Sequence, residues 1–149
     1  MSHLERTIIK LFGMDKDSVE ALNKGLGKVI KSVELKENKL CFTFANELKM
    51  FIADEGQQCC EQRYIVCDDD LSQFQGSTLM NVEIKEGPTV VYGEREDDRV
   101  TVEIAFLEIT TSYGSFQCAT YNEHNGYYAG FSIKVRVANE HQRSTTSIN

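Results

Sequence analysis

The sequence has few of the features that divide a chain into domains or attach it to a membrane. Its 149 residues include a single proline, Pro88, and no Ser/Gly-rich linker, so no domain boundary is indicated. No apolar run approaches the roughly eighteen residues that a membrane helix needs, and the N-terminus lacks the order of a secretory signal. We therefore expect one globular domain over residues 1–138, followed by a polar, flexible tail over residues 139–149.

Basic residues are outnumbered by acidic ones. The chain has 16 Lys and Arg against 23 Asp and Glu, which gives a net charge of −7. Such a charge disfavours direct nucleic-acid binding, since a basic stripe usually carries that function, but it suits a protein that presents carboxylates to a basic partner. The five cysteines are odd in number, so we expect reduced thiols in a cytoplasm.

Signatures of cofactor and metal binding are missing. Neither GxxxxGK[ST] nor GxGxxG occurs, which argues against a nucleoside triphosphatase. Cys59 and Cys60 are adjacent and Cys67 follows seven residues later, a spacing that does not fit zinc. The acidic run at residues 68–70 lacks the glycine and distal glutamate of an EF-hand, whereas Asp70 suits a helix N-cap. We predict no metal and no cofactor. Cys59 or Cys60 as a nucleophile stays an alternative to simple packing of the thiols.

The periodicity of the chain predicts an α+β protein. Leu4 to Phe12 has helical spacing, and Asp17-Ser18 offers a cap for a second helical stretch from Val19, which indicates one or two short N-terminal helices. A further short helix is expected after DDDL. From Lys28 onward the pattern alternates, as in strands. We expect a mainly antiparallel, twisted sheet of hairpins and meanders with helices on one face or end. The predicted strands are KVIKSVEL, KLCFTF, ELKMFIAD, NVEIKEG, RVTVEIAFLEITTS, SFQCATY and GFSIKVRV, the last closing the sheet. The polar turn KEN joins the first two strands as a hairpin.

Two segments carry more polar chemistry than strands or turns need. Residues 54–71 combine six acidic groups, one arginine and three thiols, and residues 121–131 read YNEHNGYYAGF. Both follow predicted strands, where loops held by a rigid scaffold can carry function. Asparagine and glycine alone would make a turn, so a site or contact surface competes with plain turn chemistry here.

Four blocks carry a resemblance to a known family. GQQCCEQRY, DDDL, FLEITTSYGSF and NEHNGYYAGF, in this order, resemble a family of small uncharacterised proteins found in bacteria and their phages, over roughly residues 54–135. The resemblance implies a phage or prophage accessory gene, acting in the host cytoplasm, and no particular reaction.

The candidate site residues come from these dense segments. Tyrosines could stack on an aromatic ligand, asparagines could read polar edges, and an arginine could complete the pocket. The residues considered for catalysis are His124, Glu123 and Glu61, because histidine beside a carboxylate is a common general base. The predicted ligand-binding residues are Arg63, Tyr64, Asn122, His124, Asn125, Tyr127 and Tyr128. The predicted partner-binding residues are Asp68, Asp69, Asp70, Glu94, Glu96, Asp97 and Asp98.

Three functions remain open from the sequence. The first is an accessory binding protein that captures a host protein or a small polar, nucleotide-like ligand and thereby counters host defence. The second is an acidic decoy that inhibits a basic nucleic-acid-binding host protein. The third is a small hydrolase that uses His124 with a carboxylate. Exposed sheet edges also permit a homo-oligomer.

Overall fold

The computed structural model describes residues 15–57, 61–126 and 130–138, and over these ranges the chain forms two antiparallel sheets. One has the strand order β1-β2-β3-β8 and the other β4-β7-β6-β5. The single sheet expected from the sequence is therefore corrected to two, and GFSIKVRV pairs with β3 instead of closing the sheet of its chain neighbours. The strands are β1 Ile30–Lys36, β2 Lys39–Phe44, β3 Lys49–Asp54, β4 Gln62–Cys67, β5 Leu79–Tyr92, β6 Val100–Thr111, β7 Gly114–His124 and β8 Ile133–Ala138.

The helix of the described region, α1, spans Lys16–Gly25. Its N-cap is Asp15, whose side chain accepts a hydrogen bond from the Ser18 backbone N–H at 2.9 Å, so the predicted cap at Asp17-Ser18 was wrong by two residues. The helix packs tightly, because a Cβ on Gly25 would lie 2.8 Å from the Met50 sulfur. The helix predicted over Leu4 to Phe12 lies outside the described residues.

The β1-β2 hairpin contains the turn that the sequence predicted at KEN. Glu37 and Asn38 both have positive φ, 54° and 59°, which is the backbone of a two-residue hairpin turn. After DDDL the expected short helix is one 3₁₀ turn over Leu71–Phe74, and Asp70 caps it as predicted. Pro88 lies in β5, an edge strand, where a missing N–H is tolerated.

The hydrophobic core lies between the two sheets and under α1. Alternate residues of each strand turn inward, and those of both sheets belong to one apolar cluster. Its largest fully buried members are Phe42, Phe44, Leu22, Ile30, Leu40, Met50, Ile52, Leu79, Ile84, Leu107 and Ile109. This cluster fixes the sheets face to face and leaves their ends to carry other chemistry.

Candidate functional site

The inward face of β7 changes from apolar to polar along its length. Phe116 and Cys118 are buried in the core, and the next inward residues, Thr120, Asn122 and His124, are buried as well. Because side chains on a strand alternate between faces, all five point to the same side of the sheet. The sandwich therefore has one end whose interior is polar, named here the polar end.

The polar end is where the two chemically dense segments meet. β4, which the sequence analysis read as loop, pairs with β7 so that Gln62 lies opposite Glu123 and Arg63 lies opposite Asn122. Asp54, at the end of β3, accepts a hydrogen bond from Arg63. The Gly130 carbonyl accepts hydrogen bonds from both Arg63 and Asn122. Residues from both segments thus form one continuous hydrogen-bonded cluster.

Arg63 is the centre of this cluster. Its Nη1 lies 3.0 and 2.9 Å from the two oxygens of Asp54, and its Nη2 lies 3.0 and 2.9 Å from those of Glu61. The Nε also donates to Glu61 at 3.2 Å, and Nη1 donates to the Gly130 carbonyl at 3.2 Å. The three side chains of this triad are only 6%, 4% and 0% exposed for Arg63, Asp54 and Glu61. With all three guanidinium nitrogens engaged, Arg63 is a structural cation.

Asn122 extends the triad toward the neighbouring strands. Its Nδ2 donates to Glu61 Oε2 at 3.2 Å and to the Gly130 carbonyl at 3.1 Å. The residue is fully buried, and its Oδ1 receives no hydrogen bond from the part of the chain that the structure describes. A buried acceptor without a donor is uncommon in folded proteins.

Both ring nitrogens of His124 are occupied. Nε2 lies 2.7 Å from Glu103 Oε1, and Nδ1 accepts the Gly126 backbone N–H at 2.9 Å. We assign the neutral tautomer with the proton on Nε2, because a nitrogen that accepts from an amide cannot carry a proton itself. Glu103 Oε1 also accepts the Gly130 N–H at 3.0 Å. The carboxylate partner of His124 is therefore Glu103, and not the adjacent Glu123.

Glu123 and Tyr64 lie on the opposite, outward face of the second sheet. The Tyr64 hydroxyl donates to Glu123 Oε2 at 2.5 Å, and its ring stacks on Tyr121 with centroids 4.9 Å apart. The Glu123-His124 dyad considered from the sequence is corrected by this alternation. Tyr64 and Arg63 are likewise separated by the plane of the sheet, so Tyr64 is not part of the polar end.

The hydrogen bond to Glu123, together with burial, raises the pKa of Tyr64 to about 12. Because the Tyr64 pKa is higher in the folded state, the hydrogen bond to Glu123 contributes its full stabilisation below about pH 10, the pKa of a free phenol. This contribution is lost as the pH rises through about 12. We expect an ultraviolet absorbance titration to show one late phenol that Tyr64→Phe removes. Tyr113→Phe, which removes a ring that is 63% exposed, should leave that late phase unchanged. Persistence of the late phase in Tyr64→Phe would assign it to another tyrosine.

A cavity of about 310 Å³ adjoins the polar end. It is connected to the hydrogen-bonded cluster through Glu103 and Gly130, both of which line it. Its wall is made by Glu86, Gly87, Thr89, Glu103, Ile104, Ala105, Gly130 and Phe131. A second, shallower concavity has Glu61, Gln62, Val100, Glu123, His124 and Asn125 around it. Tyr127 and Tyr128 lie outside the described residues, as do Cys59 and Cys60.

The predicted acidic partner surface is split between two places. Asp69 accepts a hydrogen bond from the Gln117 backbone at 3.1 Å, while the loop at residues 93–99 follows Tyr92, beside the end of β7 at His124. Gln117 and His124 are seven residues apart on one strand, or about 23 Å at 3.3 Å per residue. The Asp70 carboxylate accepts hydrogen bonds from the backbone N–H and the hydroxyl of Ser72. Asp68, Glu94, Asp97 and Asp98 are exposed.

Several members of the polar end were not among the sequence candidates. Glu103, Asp54 and Glu86 were missed, although Glu103 breaks the inward row of Ala105, Leu107 and Ile109 on β6. A carboxylate that continues the apolar face of a strand is a usable signal, because burying it requires a partner. Within residues 15–57, 61–126 and 130–138, no group of three or more His, Cys, Asp or Glu side chains is arranged to hold a metal.

Comparison with known families identifies the chain at the level of its domain. A family model described as Domain of unknown function (DUF7448) matches residues 23–134, and the chain belongs to that family. The matched range includes all the described residues of the polar end and of the cavity. Searches of curated proteins and of solved structures gave no match. Among the described helices, none has the length and apolar character needed to cross a membrane.

Proposed function

We propose that the protein is a binding module that captures a small polar ligand at the polar end and catalyses no reaction on it. The observation that carries this proposal is the hydrogen-bonded polar end beside a cavity. β4 and β7 pair so that Arg63 and Asn122 share one buried face, and Glu103, the partner of His124, lines the cavity together with Gly130. A cavity with a few convergent polar groups and an apolar wall is the usual form of a small-molecule site.

The hydrogen bonds within the polar end favour binding over catalysis. A general base needs a lone pair that can reach a substrate proton, yet His124 accepts the Gly126 N–H on Nδ1 and contacts Glu103 through Nε2. Glu61, the other catalytic candidate on this face, is held by Arg63 and Asn122. These groups are arranged to fix one another in place, which suits a rigid recognition site better than proton transfer.

The cavity also limits the size of the ligand. At about 310 Å³ it lies at the small end of the range for ligand sites, roughly 300–1,000 Å³. Phe131 provides accessible apolar wall, while Glu86, Thr89 and Glu103 provide polar groups. A ligand with a short hydrocarbon body and a polar head would match this division.

The biological setting is part of the same proposal. From the resemblance of GQQCCEQRY and NEHNGYYAGF to bacterial and phage proteins, we propose a phage or prophage accessory protein that acts in the host cytoplasm. Sequestering a small host molecule is one way in which such a protein counters host defence. This role needs a binding site and no turnover, in agreement with the engaged state of His124.

Native mass spectrometry of the gently purified protein tests the proposal. We expect a mass excess that disappears when the protein is unfolded and that is absent from Thr89→Tyr, since a tyrosine there would fill the cavity from its exposed rim. The control is Thr110→Tyr, on the outward face of β6 and away from the cavity. It should retain the ligand.

The outcomes separate the three candidate functions. A bare protein in all samples would contradict ligand capture and favour capture of a host protein, to be tested by pull-down from host lysate at low and high salt. The acidic decoy takes second place because its two acidic runs lie far apart on the second sheet. It would be favoured if charge reversal at Glu94 and Asp98 abolished a pull-down that Thr89→Tyr left intact.

A further inference from the structure

We propose that the ligand of the cavity is a small organic cation, a primary ammonium or guanidinium group on a short hydrocarbon chain. This inference rests on the proposed function and specifies its ligand class. The argument uses the charge balance of the polar end, the hydrogen-bond acceptors left over there, and the lining of the cavity.

The charge balance of the cluster is negative. Asp54, Glu61 and Glu103 carry three carboxylates against the single guanidinium of Arg63, and the hydrogen bonds of His124 fit a neutral imidazole. Glu61 and Asp54 share Arg63, whereas no lysine or arginine among the described residues pairs with Glu103. The Glu103 side chain is only 21% exposed, and a carboxylate held largely out of water without a matching positive charge is costly, so a bound cation would be favoured at this end.

Hydrogen-bond acceptors also exceed donors beside the cavity. Glu103 receives both of its hydrogen bonds, from His124 and Gly130, on Oε1, and no described residue donates to its Oε2. Glu86, on the same wall, has no hydrogen-bond or ion-pair partner in the described ranges. Asn122, the direct register partner of Glu103, has in Oδ1 a further buried acceptor to which no described residue donates. An ammonium or guanidinium group supplies donors and no acceptors.

The lining distinguishes an organic cation from the alternatives. No lysine or arginine of the described ranges lines the cavity, and Arg63 is already saturated, so a phosphate or carboxylate group would meet two carboxylates without a counter-charge. A metal ion would need more oxygen ligands than Glu86 and Glu103 offer. The apolar surface of Phe131, which is half-buried, would lie unused against an ion but could contact the methylene groups of an alkylamine.

The test is titration calorimetry with four probes at low and moderate salt. n-Butylammonium and agmatine represent the cation, n-butanol is the uncharged counterpart of the first, and adenosine monophosphate represents an anionic ligand. We expect the two cations to bind, with affinity falling as salt is added, and n-butanol and adenosine monophosphate to bind at least about tenfold more weakly.

Two variants and a control locate the binding. Glu103→Gln and Glu86→Gln keep the size of the side chain and remove its charge, and each should weaken n-butylammonium binding about tenfold. Glu108→Gln, on the outward face of β6, should leave binding unchanged. Thermal melts of all three variants show whether the fold is retained. Loss of binding in Glu103→Gln together with an unchanged melt is the supporting result.

Failure of this inference differs from failure of the proposed function. If n-butanol binds as well as n-butylammonium, or if adenosine monophosphate is preferred, the cavity binds ligands but the cation assignment is overturned. If neither cation binds, the cation assignment is also overturned, and the mass excess in native mass spectrometry decides separately whether the cavity holds some other ligand.

Discussion

Replacing Arg63 with methionine is expected to lower the free energy of unfolding by about 3–5 kcal/mol, the usual effect of removing one partner from a buried ion pair. Methionine fills similar space but leaves Asp54 and Glu61 without the cation that they share. The cost arises from the two remaining carboxylates, since each stays buried after its charge partner is lost. Urea denaturation of wild type and variant measures the difference.

The chain provides a matched control for this prediction. Arg136 forms two short hydrogen bonds to Glu55, at 2.7 and 2.6 Å, but the two side chains are 64% and 33% exposed. Arg136→Met should cost less than about 1 kcal/mol, because water screens an exposed pair and solvates the carboxylate that remains. Equal losses for Arg63→Met and Arg136→Met would show that burial of the triad does not control its energetics.

A combined variant separates charge from packing. Asp54→Asn, Glu61→Gln and Arg63→Met together remove every charge of the triad while keeping its approximate volume. We expect this triple variant to be more stable than Arg63→Met alone, since replacing a whole buried ion cluster is often close to neutral. A triple variant that is less stable than Arg63→Met would assign the loss to side-chain packing.

The elements that the sequence predicted correctly are those governed by local chemistry. Alternating apolar residues predicted β1, β2 and β3, and the Glu37-Asn38 turn joins the first two strands as expected. The cap at Asp70 follows from a side chain and its next two residues. Each of these features depends on neighbours within a few positions, so a single sequence contains the whole signal.

The features that the sequence did not predict depend on distant partners. β8 joins β3 through pairs such as Phe51 with Arg136, and nothing local distinguishes this pairing from one with β7. β4 was missed because Arg63 on its inward face and Glu61, the residue just before the strand, are both polar, so the pattern is not that of an ordinary half-buried strand. Arg63 and Glu61 can be buried only because residues of other strands bind them: Asp54 of β3 pairs with Arg63, and Asn122 of β7 donates to Glu61. The polar end therefore depends on tertiary contacts. The sequence showed that its two segments are rich in polar residues but could not show that these residues meet.

Replacing Asn122 with aspartate is expected to lower the free energy of unfolding by about 3–4 kcal/mol near neutral pH, equivalent to a shift of two to three pKa units. Asn122 Nδ2 lies 3.2 Å from Glu61 Oε2 and 3.1 Å from the Gly130 carbonyl, and the residue is fully buried. The variant exchanges a donor for an acceptor at that position. It places a carboxylate against another carboxylate and against a carbonyl oxygen, where its ionised form is strongly disfavoured.

The sign of the pH dependence follows from this arrangement. Like charge and burial raise the folded-state pKa of the new aspartate above its unfolded value of about 3.9. The loss of stability that comes from ionising this aspartate is therefore absent below about pH 4. It grows as the pH rises from the unfolded-state pKa toward the raised folded-state pKa, and above that value it stays constant. Urea denaturation of variant and wild type across this range should show their free energies of unfolding diverging with increasing pH.

Two further substitutions distinguish charge from lost hydrogen bonds. Asn122→Leu removes the same two donated bonds without adding charge, so its deficit should change little with pH relative to wild type. Asn46→Asp is the exposed counterpart, because an aspartate there can still accept the Leu48 N–H, and it should shift stability by less than about 0.5 kcal/mol. A pH-independent deficit in Asn122→Asp, equal to that of Asn122→Leu, would mean that the new carboxylate is solvated. Water would then reach Asn122, and the unmatched acceptors of the polar end would no longer require a cationic ligand.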